Sequence, residues 1–334
     1  VKVCLQHRPH MGLAGRAILA MMPITPKFFI RWVAKRYVAG PDLSSAVEVM
    51  KKISREGACF TVDVLGEEIS RIEEVDFFFD EYSSLIDAIV ENNLDANISL
   101  KPTAFGLLID YDAALENIER ITRKAAEKDI FVRLDMEDHR VTQLTMDVVL
   151  AMHGCGLTNI GTVLQGRLFR TIQDIDNLAT SLNGLSDVRI CKGIYLESAD
   201  IAHVGYQKIV DATNTSIDCL LDSGTYTAIA SHDMPVIKHS LKSISSRGMG
   251  PGIEDPRAGG KSWGAGKGTG YEFQMLLGVR GNVRRKLSRD GHRTRVYVPY
   301  GERWYEYSLR RLRENPDVAW HIAKSFIMPW TNRR

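Results

Sequence analysis

Two adjacent arginines near the C-terminal end, Arg310 and Arg311, have the type and spacing to hold an anion. They lie in the stretch Tyr305-Glu306-Tyr307-Ser308-Leu309-Arg310-Arg311-Leu312-Arg313-Glu314-Asn315-Pro316. Leu309 and Leu312 stand three apart and Pro316 supplies a stop, so the stretch reads as a helix. Neighbouring helical positions are about 100° apart around the axis. Two guanidiniums flanking one apolar stripe can therefore converge on a single carboxylate through charge-assisted N–H···O bonds. Taken alone, a solvated basic helix face reads the same way. The segment before it, Val296-Tyr297-Val298-Pro299-Tyr300-Gly301, is a strand ending in a turn. It delivers that helix from the edge where the other strands each present a polar residue.

Those strands follow from the hydrophobic pattern. Apolar, β-branched runs occupy 58–65, 96–101, 130–135, 159–165, 188–195, 226–232, 271–277 and 296–298. Stretches with helical period lie at 80–93, 112–128, 141–153, 171–182, 198–222, 235–246, 278–288 and 302–314. Eight strands alternating with helices predict a parallel sheet, and the count of eight predicts a closed (β/α)8 barrel of the TIM type. An open doubly wound sheet usually carries a Gly-rich first turn, whereas Asp63-Val64-Leu65-Gly66-Glu67-Glu68 holds one glycine. We divide the chain into an N-terminal helical segment, 1–50, and a catalytic barrel, 51–328. A Gly-rich insertion at 246–270 reads as a long surface loop, dispensable for chemistry. Gly260-Lys261-Ser262 is not a P-loop, because Asp255 stands where the earlier glycine belongs.

Composition narrows the function classes. The 334 residues carry a formal net charge of +2 with 25% charged residues. That balance argues against a dedicated nucleic-acid or membrane-surface protein. Cys4, Cys59, Cys155, Cys191 and Cys219 form no CxxC pair and read as buried free thiols in a reducing compartment. The apolar patches Leu13 to Met22 and Phe28 to Ala34 are too short to span a bilayer. They match a signal peptide poorly and read as a helical cap on the domain.

A barrel's active site forms where its strands end. The residues there are Asp63, Lys101, Asp135, Gln165, Arg189 with Lys192 and Tyr195, His232, Gln274 and Tyr297. Several sit inside apolar runs, where an unpaired charge would cost several kcal/mol. Lys101 and Asp135 end neighbouring strands and could pair. Arg189 lies deep in its strand and calls for an anionic partner or an electron-rich ring. Ser231-His232-Asp233 is contiguous, so its side chains point to alternate faces and make no catalytic triad. Asp135 to His139 offers potential metal ligands, but an extended segment does not converge them, and we expect no metal.

Seven segments together resemble the proline dehydrogenase family. They are Asp63-Val64-Leu65-Gly66-Glu67, Ile98-Ser99-Leu100-Lys101, Leu134-Asp135-Met136-Glu137-Asp138, Val188 to Tyr195, Ser231-His232-Asp233, Glu272 to Gly278, and Tyr307-Ser308-Leu309-Arg310-Arg311-Leu312. The resemblance runs over roughly 40–320 and follows the compact monofunctional members. It implies a barrel that binds FAD noncovalently and oxidises L-proline to Δ1-pyrroline-5-carboxylate, with electrons passing to a quinone-type acceptor. It also implies a cytoplasmic location with peripheral contact to the inner membrane. Arg310 and Arg311 would clamp the proline carboxylate, Tyr297 and Tyr307 would wall the ring, and Leu276 would add an apolar contact. Lys101, Asp135 and Arg189 would be catalytic, with Asp135 bonded to Tyr297 and paired with Lys101. Gln165, Arg189 and Lys192 would hold the isoalloxazine and pyrophosphate, and His232 and Gln274 the rest of the dinucleotide. Tyr195 joins the implied substrate contacts, and Gly193 and Glu314 the implied cofactor contacts. Glu67 would pair with Arg311 as a gate. A flavin barrel of the methylenetetrahydrofolate reductase type is the runner-up, but the double arginine has no evident task there. A barrel that binds proline without turnover is the non-enzymatic alternative.

Overall fold

A computed structural model describes residues 36–257, 270–305 and 307. Helix α1, Leu43–Ser54, precedes strand β1, Cys59–Val64. Then come α2 (Val75–Glu91), β2 (Ala96–Leu100), α3 (Tyr111–Glu127), β3 (Val132–Leu134), α4 (Thr142–Gly154) and β4 (Ile160–Gln165). They are followed by α5 (Thr171–Ser181), β5 (Asp187–Cys191), α6 (Tyr206–Asp222), β6 (Tyr226–Ala230), α7 (Met234–Ser246), β7 (Tyr271–Leu276), α8 (Gly281–Arg289) and β8 (Thr294–Tyr300). All strands pair in parallel with their sequence neighbours, and β8 closes on β1, giving the expected (β/α)8 barrel. Helix α1 runs through residue 50, where the N-terminal segment was expected to end. The two N-terminal apolar patches lie outside the described residues.

The helices form for local reasons. Asp110 caps α3 by accepting from the Ala113 N–H at 3.0 Å, and Ala114, Ile118, Ile121 and Ala125 bury one stripe. Each fully buried isoleucine contributes about 1.5–3 kcal/mol. These stripes meet the outward face of the strands, where Phe60, Val62, Ile98, Leu100, Val132, Leu134, Phe273, Met275, Val296 and Val298 join one apolar core. Among the described residues no helix is long and apolar enough to cross a membrane.

Alternation along a strand sends every second residue inward. On six of the eight strands the inward set is mainly polar: Thr61 and Asp63, Asn97 and Ser99, Arg133, Arg189, Glu272 and Gln274, Arg295 and Tyr297, in matching register across the pairings, while β4 and β6 turn Gly161, Val163, Ala228 and Ala230 the same way. Barrel interiors are usually filled by branched apolar residues, so this one needs internal neutralisation. Arg133 pairs with Asp187 and donates to the carbonyls of Thr162 and Asp187, each at 2.8 Å. Gly161 opposes Arg133, and a Cβ there would strike Phe131, the Asp187 carbonyl and the guanidinium. Arg295 grips Glu272 with two bonds, 2.7 and 3.0 Å, and donates to the Phe60 carbonyl at 2.6 Å. Burial alone would raise the Glu272 carboxyl; Arg295 and Arg293 outweigh it and hold it well below the usual range.

The described part of the Gly-rich stretch, 247–257, is a loop as read, but an anchored one. Met249 and Asp255 are buried, and Asp255 anchors Arg257, whose guanidinium donates to the carbonyls of Leu221, Thr225 and Gly270. Residues 258–269 are outside the described residues. The described part joins the rim where strands begin, and Arg257 staples the entrance of β6 to that of β7. Of the described cysteines all are free, but only Cys59 is buried, and Cys155 is exposed where α4 ends.

Glu272→Gln should destabilise the fold by about 3–5 kcal/mol, the usual cost of leaving a buried charge unpaired. The wild-type carboxyl is depressed, so its contribution is full above the ordinary glutamate pKa and fades as pH falls toward the folded value. Urea midpoints at neutral and acidic pH should therefore differ less for the variant than for wild type.

Candidate active site

The upper part of the barrel interior forms a charged floor. Lys101, just past β2, sits 2.5 Å from Asp63 on β1. Arg189 crosses from β5 to meet Asp135 at 2.5 Å, and its Nη2 reaches the hydroxyls of Ser99 and Thr61 at 3.3 and 3.4 Å. Asp135 also accepts from the Ser99 hydroxyl at 2.6 Å and the Tyr297 hydroxyl at 2.8 Å. The Arg189 guanidinium lies 5.4 Å from the Tyr297 ring centre, within cation–π range.

The electrostatics follow from this packing. Burial would raise Asp135, but Arg189, Lys101 and the bonds from Ser99 and Tyr297 hold it below the usual carboxylate value. Burial pushes Asp63 up, with Lys101 opposing. For Lys101 burial works to remove the proton, and Asp63 and Asp135 more than offset it, so the ammonium is retained. Burial followed by the Asp135 and Asp63 charges raises Tyr297 well above its ordinary value, which keeps it a donor.

One expectation changes here. Lys101 was expected to pair with Asp135; its ion-pair partner is Asp63, and Asp135 belongs to Arg189. The reason is register: Asp63 faces Ser99 across β1–β2, one step from Lys101 on the same inward face. Arg189 finds its anion in a protein carboxylate and its ring in Tyr297.

The remaining residues line one rim. Gln165 ends β4 with its amide donating to the Glu137 carbonyl at 2.8 Å, and Gln274 donates to Glu272 at 2.5 Å. Both amide oxygens, Oε1 of Gln165 and of Gln274, are buried without a hydrogen-bond partner. Strand β5 ends at Cys191, so Lys192, Gly193 and Tyr195 stand in the loop after it and not in the strand as expected. Lys192 pairs with Asp233 at 2.7 Å, and Asp233 accepts from the Tyr206 hydroxyl at 2.9 Å. His232 is engaged by the protein, its Nε2 accepting from the Leu276 N–H at 2.9 Å. Glu67 lies half-buried in the loop after β1, and Tyr307 is buried against Leu65 and Val38. Arg310, Arg311 and Glu314 lie outside the described residues.

A family model described as proline dehydrogenase matches residues 46–324. The chain belongs to the proline dehydrogenase family. It is 33% identical over 294 residues to proline dehydrogenase 1 of Bacillus subtilis subsp. natto, covering 88% of this chain and 90% of that protein. It is 31% identical over 300 residues to a proline dehydrogenase of Deinococcus radiodurans, with the same coverage, 88% and 90%. The fold is similar to that of proline utilization A from Bdellovibrio bacteriovorus inactivated by N-propargylglycine, with a TM-score of 0.75 and 21% identity. That match covers 86% of this chain and 33% of the other, so the chain spans about a third of that protein's length. As a proline dehydrogenase family member it is an oxidoreductase of proline catabolism.

Sequence reasoning on this family member left several neighbours unnamed as site residues. Ser99, Thr61, Asp233 and Tyr206 each hold one of the expected side chains. For Thr61 and Ser99 a signal existed, since they share the inward alternation with Asp63 and Lys101. Tyr206 opens α6 and Asp233 stands just before α7, and no spacing links them.

Lys101→Met should destabilise by about 3–5 kcal/mol through the orphaned Asp63 carboxylate. The variant's buried Asp63 should bind its proton more tightly when folded than when unfolded. Stability then falls as pH rises above the ordinary aspartate value, about 4. Urea midpoints should show a larger deficit at alkaline than at mildly acidic pH; an equal deficit at both would mean the carboxylate has found another partner.

Proposed function

We propose that this protein oxidises L-proline to Δ1-pyrroline-5-carboxylate at noncovalently bound FAD and passes the electrons to a quinone-type acceptor. We place it in the cytoplasm, in peripheral contact with the inner membrane. The observation that carries the reading is the neutralised floor of Lys101, Asp63, Asp135, Arg189 and Tyr297 beside two buried amide oxygens without partners. A buried acceptor left unmet costs about 1–3 kcal/mol; the edge of a flavin ring offers one N–H, and the ribityl chain offers hydroxyl donors. Gln165, Lys192, Gly193, Gln274, Arg189, His232 and Glu314 are the residues we assign to the cofactor. When bound, FAD would take up the two electrons of the oxidation as a hydride.

The protein's own part is positioning and charge. Tyr297 spends its hydroxyl proton on Asp135, so it presents the substrate with a fixed ring face. Tyr307, Tyr195 and Leu276 complete the walls. Lys101 and Arg189 prevent the floor from being anionic, so a substrate amine gives up its proton there more readily than over free carboxylates. Arg310 and Arg311 anchor the substrate carboxylate, with Glu67 as the gate, and fix the reacting carbon in place.

Acid precipitation of the purified protein should release FAD into the supernatant, and anaerobic proline should bleach the yellow holoprotein. Flavin held in the pellet, or FMN in the supernatant, would contradict the cofactor assignment. Arg310→Ala and Arg311→Ala should each weaken proline binding by about 30- to 150-fold, the equivalent of roughly 2–3 kcal/mol of charge-assisted bonding. Flavin content should stay normal, and Arg313→Ala should have little effect. Proline affinity unchanged in both variants would sink the anchor.

A further inference from the structure

Arg167 stands two residues after Gln165, in the connection from β4 to α5, and is 7% exposed. Five arginines are buried among the described residues, and four have a carboxylate within ion-pair distance: Arg133 with Asp187, Arg189 with Asp135, Arg284 with Glu56 and Arg295 with Glu272. Arg167 meets only neutral acceptors. Its Nη1 donates to the Tyr195 carbonyl at 2.5 Å and its Nη2 to the His203 carbonyl at 3.3 Å, while Nε is buried without a partner. Burial lowers its pKa, with Glu197 opposing. Glu197 is already committed, since both its oxygens hold His139, one through the backbone N–H at 3.0 Å and one through Nδ1 at 2.7 Å. A buried cation with no carboxylate in ion-pair contact is costly, and such groups cluster at functional sites, where a ligand can add negative charge.

The place is specific. Gly193 has a positive φ of 95°, and a Cβ there would come within 2.6 Å of the Gln165 amide oxygen and 2.7 Å of the Arg167 Cδ. Arg167 is therefore packed against the same glycine as the unpartnered acceptor of Gln165. We propose that Arg167 supplies a positive charge to the flavin site, stabilising the negative charge that the ring system gains on reduction and raising its reduction potential. This rests on the flavin reading given above. Arg167 acts through its field and is a positioning residue; its carbonyl bonds also staple the loop after β4 to the loop after β5. Charge near the ring is one of the means by which a protein tunes a flavin.

The test separates the charge from the staple. Arg167→Gln keeps an amide donor for the carbonyls and removes the charge; Arg167→Lys keeps the charge. Sulfite is the probe, because its lone pair forms an S–N bond to the oxidised flavin and leaves the ring anionic, bleaching the visible band. In the holoprotein, Arg167→Gln should weaken sulfite binding about tenfold and lower the two-electron potential by the equivalent amount, about 30 mV. Arg167→Lys should stay near wild type in both. An Arg167→Gln protein with unchanged sulfite affinity and potential would overturn the proposal and leave the staple alone. If Arg167→Gln retains no flavin, the lysine variant decides: near-wild-type sulfite affinity supports the charge. A tenfold loss in the lysine variant, or loss of its flavin as well, overturns the proposal. A wild type purified without flavin would sink the flavin reading and this inference together, and is distinguishable from the other outcomes at once.

Discussion

Four ion pairs inside the barrel, Lys101–Asp63, Arg133–Asp187, Arg189–Asp135 and Arg295–Glu272, are the constraint on which the rest of the structure depends. Charges inside a closed sheet are tolerable only when each meets its opposite with good geometry. That requirement specifies register. A slip of one residue in β1 would send Phe60 and Val62 inward and Thr61 and Asp63 toward the helices, exchanging a satisfied layer for an unsatisfied one. The apolar outer face drives assembly against the helices; the ionic inner face decides which assembly is allowed.

The candidate site is the upper end of this same network. Asp135 is held by three donors from three other strands: Arg189 on β5, Ser99 on β2 and Tyr297 on β8. Arg189 in turn reaches Thr61 on β1. A side chain so restrained needs no reorganisation when a substrate arrives, and preorganisation is where an active site gains most. The floor is also neutral overall within its two ion pairs, so it can face a zwitterionic amino acid without favouring the protonated amine.

The barrel's two rims do different work. Where strands end, loops carry Lys192, Tyr195, Asp233 and Arg167, each tied to a neighbouring loop by a polar bond. Where strands begin, the Asp255–Arg257 unit fastens β6 and β7 from below. The described part of the Gly-rich stretch belongs to that second rim, where its bonds serve stability.

Much of this was legible in the sequence. Eight apolar runs separated by helical periods gave the barrel, because parallel strands need a crossover each. The strand-end residues Asp63, Lys101, Asp135, Gln165, Arg189 and Tyr297 could be read off as one rim, because a parallel barrel collects all strand ends on one face. The alternation in Cys59-Phe60-Thr61-Val62-Asp63-Val64 already encoded a polar interior, since Thr61 and Asp63 must share a face. Which charge meets which was decided only by the tertiary structure. Lys101 took Asp63 and Arg189 took Asp135 because strand stagger sets the distances across the barrel, and stagger depends on how all eight strands close. The loop contacts, Lys192 with Asp233 and Arg167 with the Tyr195 carbonyl, were likewise invisible, because they join residues 41 and 28 positions apart that no local periodicity relates.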